Sequence, residues 1–187
     1  MVADISYGAG IPGDAELRLC GDLSGGKRAL ELGVSDWFNS IAFARAGAKA
    51  IAVDPDAAKI SEMRRRADDA EVTVQCHVAD LADLGEITSG TCQVVVAAHT
   101  LADVDDLGRL LRQVHRVLEP SMPFVISLDH PFSTVTDTTP YGTGARTVAS
   151  WFTALSRANF RVDQVHELGA SGNAPSTLLL RARKEGS

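Results

Sequence analysis

Residues 29–56 read ALELGVSDWFNSIAFARAGAKAIAVDPD, and this stretch predicts a strand, a tight turn, a helix and a second strand. The first strand is expected at Arg28–Leu32 and the second at Lys49–Val53, each a short apolar run. Such a unit aligns its two strands in parallel, and the turn between strand and helix exposes unpaired N–H groups at the positive end of the helix dipole. An anionic or zwitterionic ligand can therefore bind over this turn.

The acidic residue after the second strand strengthens that interpretation. Asp54 follows Gly33 by 21 residues, a spacing at which a carboxylate accepts hydrogen bonds from the ribose hydroxyls of a nucleoside. The structural alternative is a plain strand–helix connection in which Asp54-Pro55 opens the next helix. A helix start at Asn39-Ser40 keeps the dipole argument valid for the turn.

Further β-branched runs alternate with helical periodicity along the chain, as in βαβ units packed on a parallel sheet. Amphipathic spacing predicts a helix at Asp106–Leu118, ended by Glu119-Pro120. A weaker helical pattern follows Asp56. Three more strands are predicted: Val72–Cys76, Gln93–Ala98 and Phe124–Leu128.

The last third of the chain changes character. A helix with one apolar face, formed by Val148, Trp151, Phe152 and Leu155, leads into two strands, Arg161–Leu168 and Thr177–Arg183. The loop between these strands is too short for a crossover helix, so they should pair as an antiparallel hairpin.

Composition limits the classes of function. The 187 residues carry a formal charge of -6, with 45% hydrophobic and 22% charged residues, which favours one globular domain and disfavours a nucleic-acid partner. Three cysteines without a CxxC pair indicate a reducing compartment. No leader or membrane-length apolar run is recognisable, so we expect a cytoplasmic protein without membrane contact.

Five motifs occur in the order and spacing of one enzyme family. They are ELG at Glu31–Gly33, VDPD at Val53–Asp56, VAD at Val78–Asp80, VVVAAHTLADVDDL at Val94–Leu107 and VISLDHP at Val125–Pro131. The chain resembles class I S-adenosylmethionine-dependent methyltransferases of the small-molecule type, over roughly residues 26–183.

This resemblance implies an α/β, Rossmann-like fold with a seven-stranded sheet in the order 3-2-1-4-5-7-6 and strand 7 antiparallel, which agrees with the predicted hairpin. We expect a single domain over residues 1–187, with an N-terminal cap segment at 1–27 and the Rossmann-like core at 28–184.

The resemblance also implies S-adenosylmethionine as the cofactor. In the family the first loop binds methionine, and acidic residues after the second and third strands bind ribose and adenine. The cofactor-binding candidates are Glu31, Gly33, Ser35, Trp37, Asp54, Pro55, Asp80 and Leu81. Asp80 has a competing role as a turn former before Leu81.

The first loop departs from the family pattern ELG-x-G-x-G, because Ser35 and Trp37 stand at the two later glycine positions. Glycine there permits close approach of a ligand to the backbone. Trp37 has three alternatives: it turns outward, it covers the pocket by a cation–π contact with the sulfonium, or it blocks the site.

Catalytic and substrate-binding candidates follow the fourth and fifth strands, where open α/β sheets bind ligands. His99 and His130 are the candidate general bases, although a structural role for a lone histidine is equally compatible. Tyr141 and Arg146 are the candidate substrate contacts, and Tyr7 is placed to close the pocket. We expect no metal, since the acidic residues at 103–106 are better explained as the start of a helix.

The leading hypothesis is methyl transfer to a nucleophilic oxygen, nitrogen or carbon of a small molecule. A degenerate methyltransferase fold, acting as a ligand-binding or interaction protein, is the alternative that Ser35 and Trp37 motivate. A nicotinamide-dependent oxidoreductase is disfavoured, because GVSDWF does not match GxGxxG.

Overall fold

One mixed sheet organises the protein. The computed structural model describes residues 4–133, 135–143, 145–169 and 174–186. Seven strands pair in the order β3-β2-β1-β4-β5-β7-β6. Their bounds are β1 Arg28–Leu32, β2 Lys49–Asp54, β3 Val74–Val78, β4 Val94–Ala98, β5 Pro123–Asp129, β6 Phe160–Leu168 and β7 Thr177–Lys184.

The strand directions confirm the predicted α/β fold class. Strands β1 to β5 pair with one another in parallel, whereas β7 is antiparallel to both β5 and β6. The β6–β7 ladder contains a bulge at Asp163, between the paired residues Val162 and Gln164. The expected order 3-2-1-4-5-7-6 and the C-terminal hairpin are thus both present.

Five helices cover the two faces of the sheet in the described part of the chain. They are α1 Asp14–Leu17, α2 Asn39–Arg45, α3 Ala57–Asp69, α4 Leu107–Val117 and α5 Val148–Arg157. The apolar residues of α4 and α5 pack on one face with alternate residues of β1, β4, β5 and β7. The opposite face is covered by α2, α3 and the N-terminal segment.

Two details differ from the predictions. Strand β3 begins two residues later than expected, because the N–H of Val72 still bonds to Ala67 at the end of α3. On α5, Trp151 and Leu155 are buried but Phe152 is exposed, so the apolar face is narrower than predicted. Helix α2 begins at Asn39, within the predicted start, and its N-cap residue Phe38 provides no side-chain cap.

The N-terminal segment is anchored by a buried tyrosine. The hydroxyl of Tyr7 donates to Asp14 at 2.6 Å and lies 3.2 Å from the sulfur of Cys20, and burial raises the pKa of this hydroxyl. The side chain of Tyr7 is thus part of the core. The sequence-based prediction that it closes the pocket is therefore wrong. Within the described ranges, no helix has the length and apolar character needed to cross a membrane.

Candidate functional site

Four predicted site residues meet where the parallel strands end. Gly33 follows β1, Asp54 ends β2, Asp80 follows β3 and His99 follows β4. Because the strands are parallel, their carboxyl ends share one edge of the sheet. The predicted cofactor and catalytic residues therefore lie on the edge at which α/β proteins bind ligands.

The first loop is held from beneath by Glu31, whose side chain is fully buried. One carboxylate oxygen accepts hydrogen bonds from the N–H and hydroxyl of Ser35 and from the N–H of Asn39, at 3.0–3.2 Å. The other accepts from the N–H and hydroxyl of Ser40, at 2.7 and 2.8 Å. Glu31 thus satisfies two N–H groups at the start of α2, the function usually performed by a capping side chain.

These bonds determine where the serine side chain points. The hydroxyl of Ser35 faces Glu31 in the interior, and the residue is buried. Its side chain therefore does not project over the outer surface of the loop. A serine at a glycine position of the family pattern is compatible with a ligand above the loop.

Position 33 requires glycine because its backbone lies against the loop after β4. Its φ is +79°, and a Cβ placed on it would lie 2.4 Å from the Cβ of Thr100. The Thr100 hydroxyl donates to the carbonyl oxygen of Leu32 at 2.6 Å. The first loop and the loop after β4 are consequently in direct contact beside Gly33.

Trp37 joins the same two loops from the other side. It is half-buried, and its indole lies 5.7 Å from the His99 ring between centroids, tilted by 55°. The next residue, Phe38, has a φ of +51°, and the guanidinium of Arg66 lies 4.1 Å above its ring. The indole therefore lies beside His99 at the carboxyl edge of the sheet.

Asp54 is buried and holds two backbone amides. One oxygen accepts from the N–H of Val34 at 2.7 Å and the other from the N–H of Asp56 at 2.8 Å. The ammonium of Lys59 lies 3.8 Å from the first oxygen. Asp54 thereby links the first loop to the start of α3, while the adjacent Pro55 is exposed.

The third strand contributes less to an enclosed site. Asp80 is exposed, and one of its oxygens accepts from the N–H of Ala82 at 2.6 Å. It forms the local turn that was the alternative to adenine binding. Leu81 is buried in the core that contains α4.

His99 contacts a carboxylate at the end of the neighbouring strand β5. Its Nδ1 lies 3.0 Å from a carboxylate oxygen of Asp129, and its Nε2 is buried with no hydrogen-bond partner in the described part of the chain. Its φ of +56° is unusual for a residue other than glycine. Gly8 faces Nε2, because a Cβ added there would lie 3.2 Å from it.

His130 occupies a different environment. It is fully buried, its Nε2 lies 2.8 Å from Glu167, and its Nδ1 accepts from the N–H of Phe132 at 3.2 Å. Both ring nitrogens are therefore engaged. This arrangement fixes the loop after β5, and of the two candidate histidines it leaves His99 as the one with an unpartnered nitrogen.

A cavity of about 500 Å³ opens beside His99 and Asp129. Its lining includes the apolar residues Leu101, Leu128 and Trp151 and the charged residue Arg146. The two predicted substrate contacts, Arg146 and Tyr141, lie in different surroundings. Arg146 lines the cavity, whereas the ring of Tyr141 stacks on Phe132, with 4.7 Å between centroids.

Sequence reasoning did not identify Asp129, Thr100 or Trp151 as site residues. Asp129 ends β5 within the quoted motif VISLDHP, so its position after a central strand was the available signal. Thr100 adjoins His99, but its contact with Gly33 depends on the pairing of β1 with β4.

As for metals, the described residues contain no group of three or more His, Cys, Asp or Glu side chains that could hold an ion.

Comparison of this chain with known proteins identifies its family and finds the same fold in solved structures. A family model described as a methyltransferase domain matches residues 30–126. No curated protein matches the sequence significantly.

Solved structures share the fold at low sequence identity. An S-adenosylmethionine-dependent methyltransferase from Mesorhizobium loti is 22% identical, with a TM-score of 0.75 over 91% of this chain and 96% of that one. A counterpart from Listeria monocytogenes is 20% identical, with a TM-score of 0.75 over 91% and 95%. The geranyl diphosphate C-methyltransferase of Streptomyces coelicolor is 12% identical, with a TM-score of 0.75 over 91% and 76%.

Proposed function

The chain belongs to the methyltransferase domain family, and from this premise we propose that it transfers the methyl group of S-adenosylmethionine to a small-molecule acceptor. The cofactor supplies an electrophilic methyl group on a sulfonium, so the protein has to hold, orient and shield the reactants. The observation that carries the proposal is the pair His99–Asp129, which lies on the wall of a cavity at the carboxyl edge of the sheet.

The first loop fits a cofactor with an aminoacyl end and a ribose. Because Ser35 turns inward to Glu31, the outer surface of the loop is free of its side chain. A carboxylate has about four lone-pair sites, and backbone amides take two at Asp54. We assign the remaining ones to the ribose hydroxyls, and Trp37 to one wall of the cofactor site.

In this proposal His99 receives the proton that an oxygen or nitrogen acceptor loses. Nδ1–H donates to Asp129, which fixes the tautomer and leaves the lone pair of Nε2 available. Gly8 lies against Nε2, so an acceptor reaches this nitrogen after a local shift of the backbone at Gly8, while the preceding Tyr7 stays in the core. The acceptor occupies the cavity lined by Leu101, Leu128 and Trp151.

The test is binding of S-adenosylhomocysteine by isothermal titration calorimetry. Asp54→Asn keeps the side-chain volume but removes acceptor capacity, so we expect affinity to fall by about 1–3 kcal/mol. The matched control is Asp69→Asn, which makes the same change at the exposed end of α3. Unchanged affinity in a folded Asp54→Asn protein removes Asp54 from the site.

A second candidate function is favoured by two contacts between the first loop and the loop after β4. The Trp37–His99 approach, together with the closure of Gly33 against Thr100, is also what a degenerate methyltransferase fold would show if it served as a binding or interaction protein. Wild-type protein that releases no heat with S-adenosylhomocysteine, while remaining folded, would support this second function over the first.

A further inference from the structure

A second cavity adjoins the one beside His99. It has a volume of about 420 Å³ and lies between the start of α4 and the end of α5. Arg146 lines both cavities, so they are neighbours across one side chain. Arg146 is therefore the residue that a molecule occupying both cavities would contact from each side.

Three arginines face this second cavity. Arg112 projects from α4 and Arg157 from α5, and Arg146 precedes α5. In the portions of the chain that the structure describes, Arg112 and Arg157 form neither a hydrogen bond nor an ion pair, and Arg146 donates only to the carbonyl oxygen of Val104, at 3.3 Å. Their guanidinium groups are therefore available to an external anion.

Two carboxylates line the same cavity and have to be weighed against these cations. Asp106 is directed to its own helix, because it accepts from the N–H of Arg109 at 2.8 Å. Asp105 is exposed and belongs to no ion pair within the described ranges. The cavity lining thus carries three guanidinium groups and two carboxylates, and one of these carboxylates, Asp106, caps its own helix. The lining therefore has an excess of positive charge.

We propose that Arg112, Arg146 and Arg157 bind the acidic group of the methyl acceptor, which is therefore a small molecule carrying a carboxylate or a phosphate. This inference rests on the proposed function, since it specifies the substrate of the same site. Guanidinium groups suit both anions, because their planar set of N–H donors matches two oxygens at once. The apolar body of the acceptor then lies against Leu101 and Trp151.

The charges of the first cavity place the acidic group at the arginine end. Asp129 and Asp103 lie with His99 on its wall, and carboxylates there repel an anion. The acidic group is accordingly held away from His99, which leaves the nucleophilic oxygen or nitrogen of the acceptor beside it. One ionic contact would thus fix which end of the substrate reacts.

Calorimetry at constant ionic strength tests the proposal with phenyl phosphate and benzoate as probes. Benzyl alcohol serves as the uncharged analogue. Arg112→Gln and Arg157→Gln are each expected to raise the Kd of at least one acid about tenfold, equivalent to ~1.4 kcal/mol. Arg109→Gln is the matched control, because this residue of α4 faces Asp83 at 3.7 Å and not the cavity.

Which acid binds more tightly assigns the anion as phosphate or carboxylate. The inference is overturned if neither acid binds the wild type, if benzyl alcohol binds equally well, or if Arg109→Gln weakens binding as much as the other substitutions. S-adenosylhomocysteine is titrated separately into the same proteins. If the wild type binds the acids but not S-adenosylhomocysteine, the proposed function is contradicted, whereas a wild type that binds S-adenosylhomocysteine but neither acid contradicts the arginine site.

Discussion

Replacement of Glu31 by glutamine should destabilise the protein through the first loop. The carboxylate accepts five buried hydrogen bonds, and glutamine turns one of its oxygens into an NH2 group that can only donate. In the better orientation the remaining oxygen faces Ser35 and Asn39, and the NH2 group faces Ser40. The Ser40 hydroxyl can rotate to accept, but the N–H of Ser40 loses its acceptor.

The expected loss follows from these contacts. A buried donor without a partner costs about 1–3 kcal/mol, and the surviving bonds weaken because their acceptor is no longer charged. Burial raises the pKa of Glu31, so a neutral amide also relieves part of the cost of a buried charge. We therefore expect the free energy of unfolding of Glu31→Gln to fall by about 2–4 kcal/mol.

Urea denaturation measures this change, provided that the dependence on denaturant is the same in all variants. Ser35→Ala is the matched control, since it removes a single hydroxyl from the same carboxylate and should cost about 0.5–1.5 kcal/mol. A Glu31→Gln protein as stable as Ser35→Ala would refute the reasoning. The affinity for S-adenosylhomocysteine should fall with Glu31→Gln, because the same carboxylate positions the loop.

Two further predictions concern Asp163 in the β6–β7 hairpin and the indole of Trp37. Burial opposes ionisation of Asp163, but hydrogen bonds from Arg181 and Arg183 outweigh it and hold its pKa below the usual value. The stability it provides is therefore present above about pH 4 and lost as pH falls through the lower folded pKa. Denaturant titrations should show this acid loss in the wild type and little of it in Asp163→Asn, and parallel curves would contradict the ion pair. Trp37→Gly should weaken S-adenosylhomocysteine binding in calorimetry by removing one wall, whereas tighter binding would show that the indole obstructs the site.

The sheet was predictable because each of its strands carries a local signal. Short apolar runs in β1, β2, β4 and β5 alternate with helical periodicity, and parallel pairing follows from the helices between them. The short β6–β7 connection excluded a crossover. The start of β3 was less predictable, since Val72 looks like a strand residue but its N–H completes the end of α3. Such a boundary depends on a backbone bond that composition does not report.

The sequence predicts after which strands the candidate site residues lie, but not which of them come into contact. Sequence places His99 and Asp129 after two different strands, and their contact requires that β4 and β5 be neighbours in a particular register, with Ala98 opposite Ser127. The hydrogen bond from the His99 N–H to the Ser127 carbonyl oxygen extends that register by one residue. A strained backbone at His99 then brings its ring to Asp129.

Ser35 shows the same dependence on distant structure. Compared with a glycine pattern, a serine in the first loop suggests lost space for a ligand. The fold reverses that inference, because Glu31 lies beneath the loop and draws the hydroxyl inward. A buried acid four residues earlier thus makes serine compatible with a ligand site. Among the residues that the structure describes, Trp37 has no hydrogen-bond acceptor of this kind, and its indole lies beside His99. We therefore expect the tryptophan, and not the serine, to be the departure from the glycine pattern that affects cofactor binding.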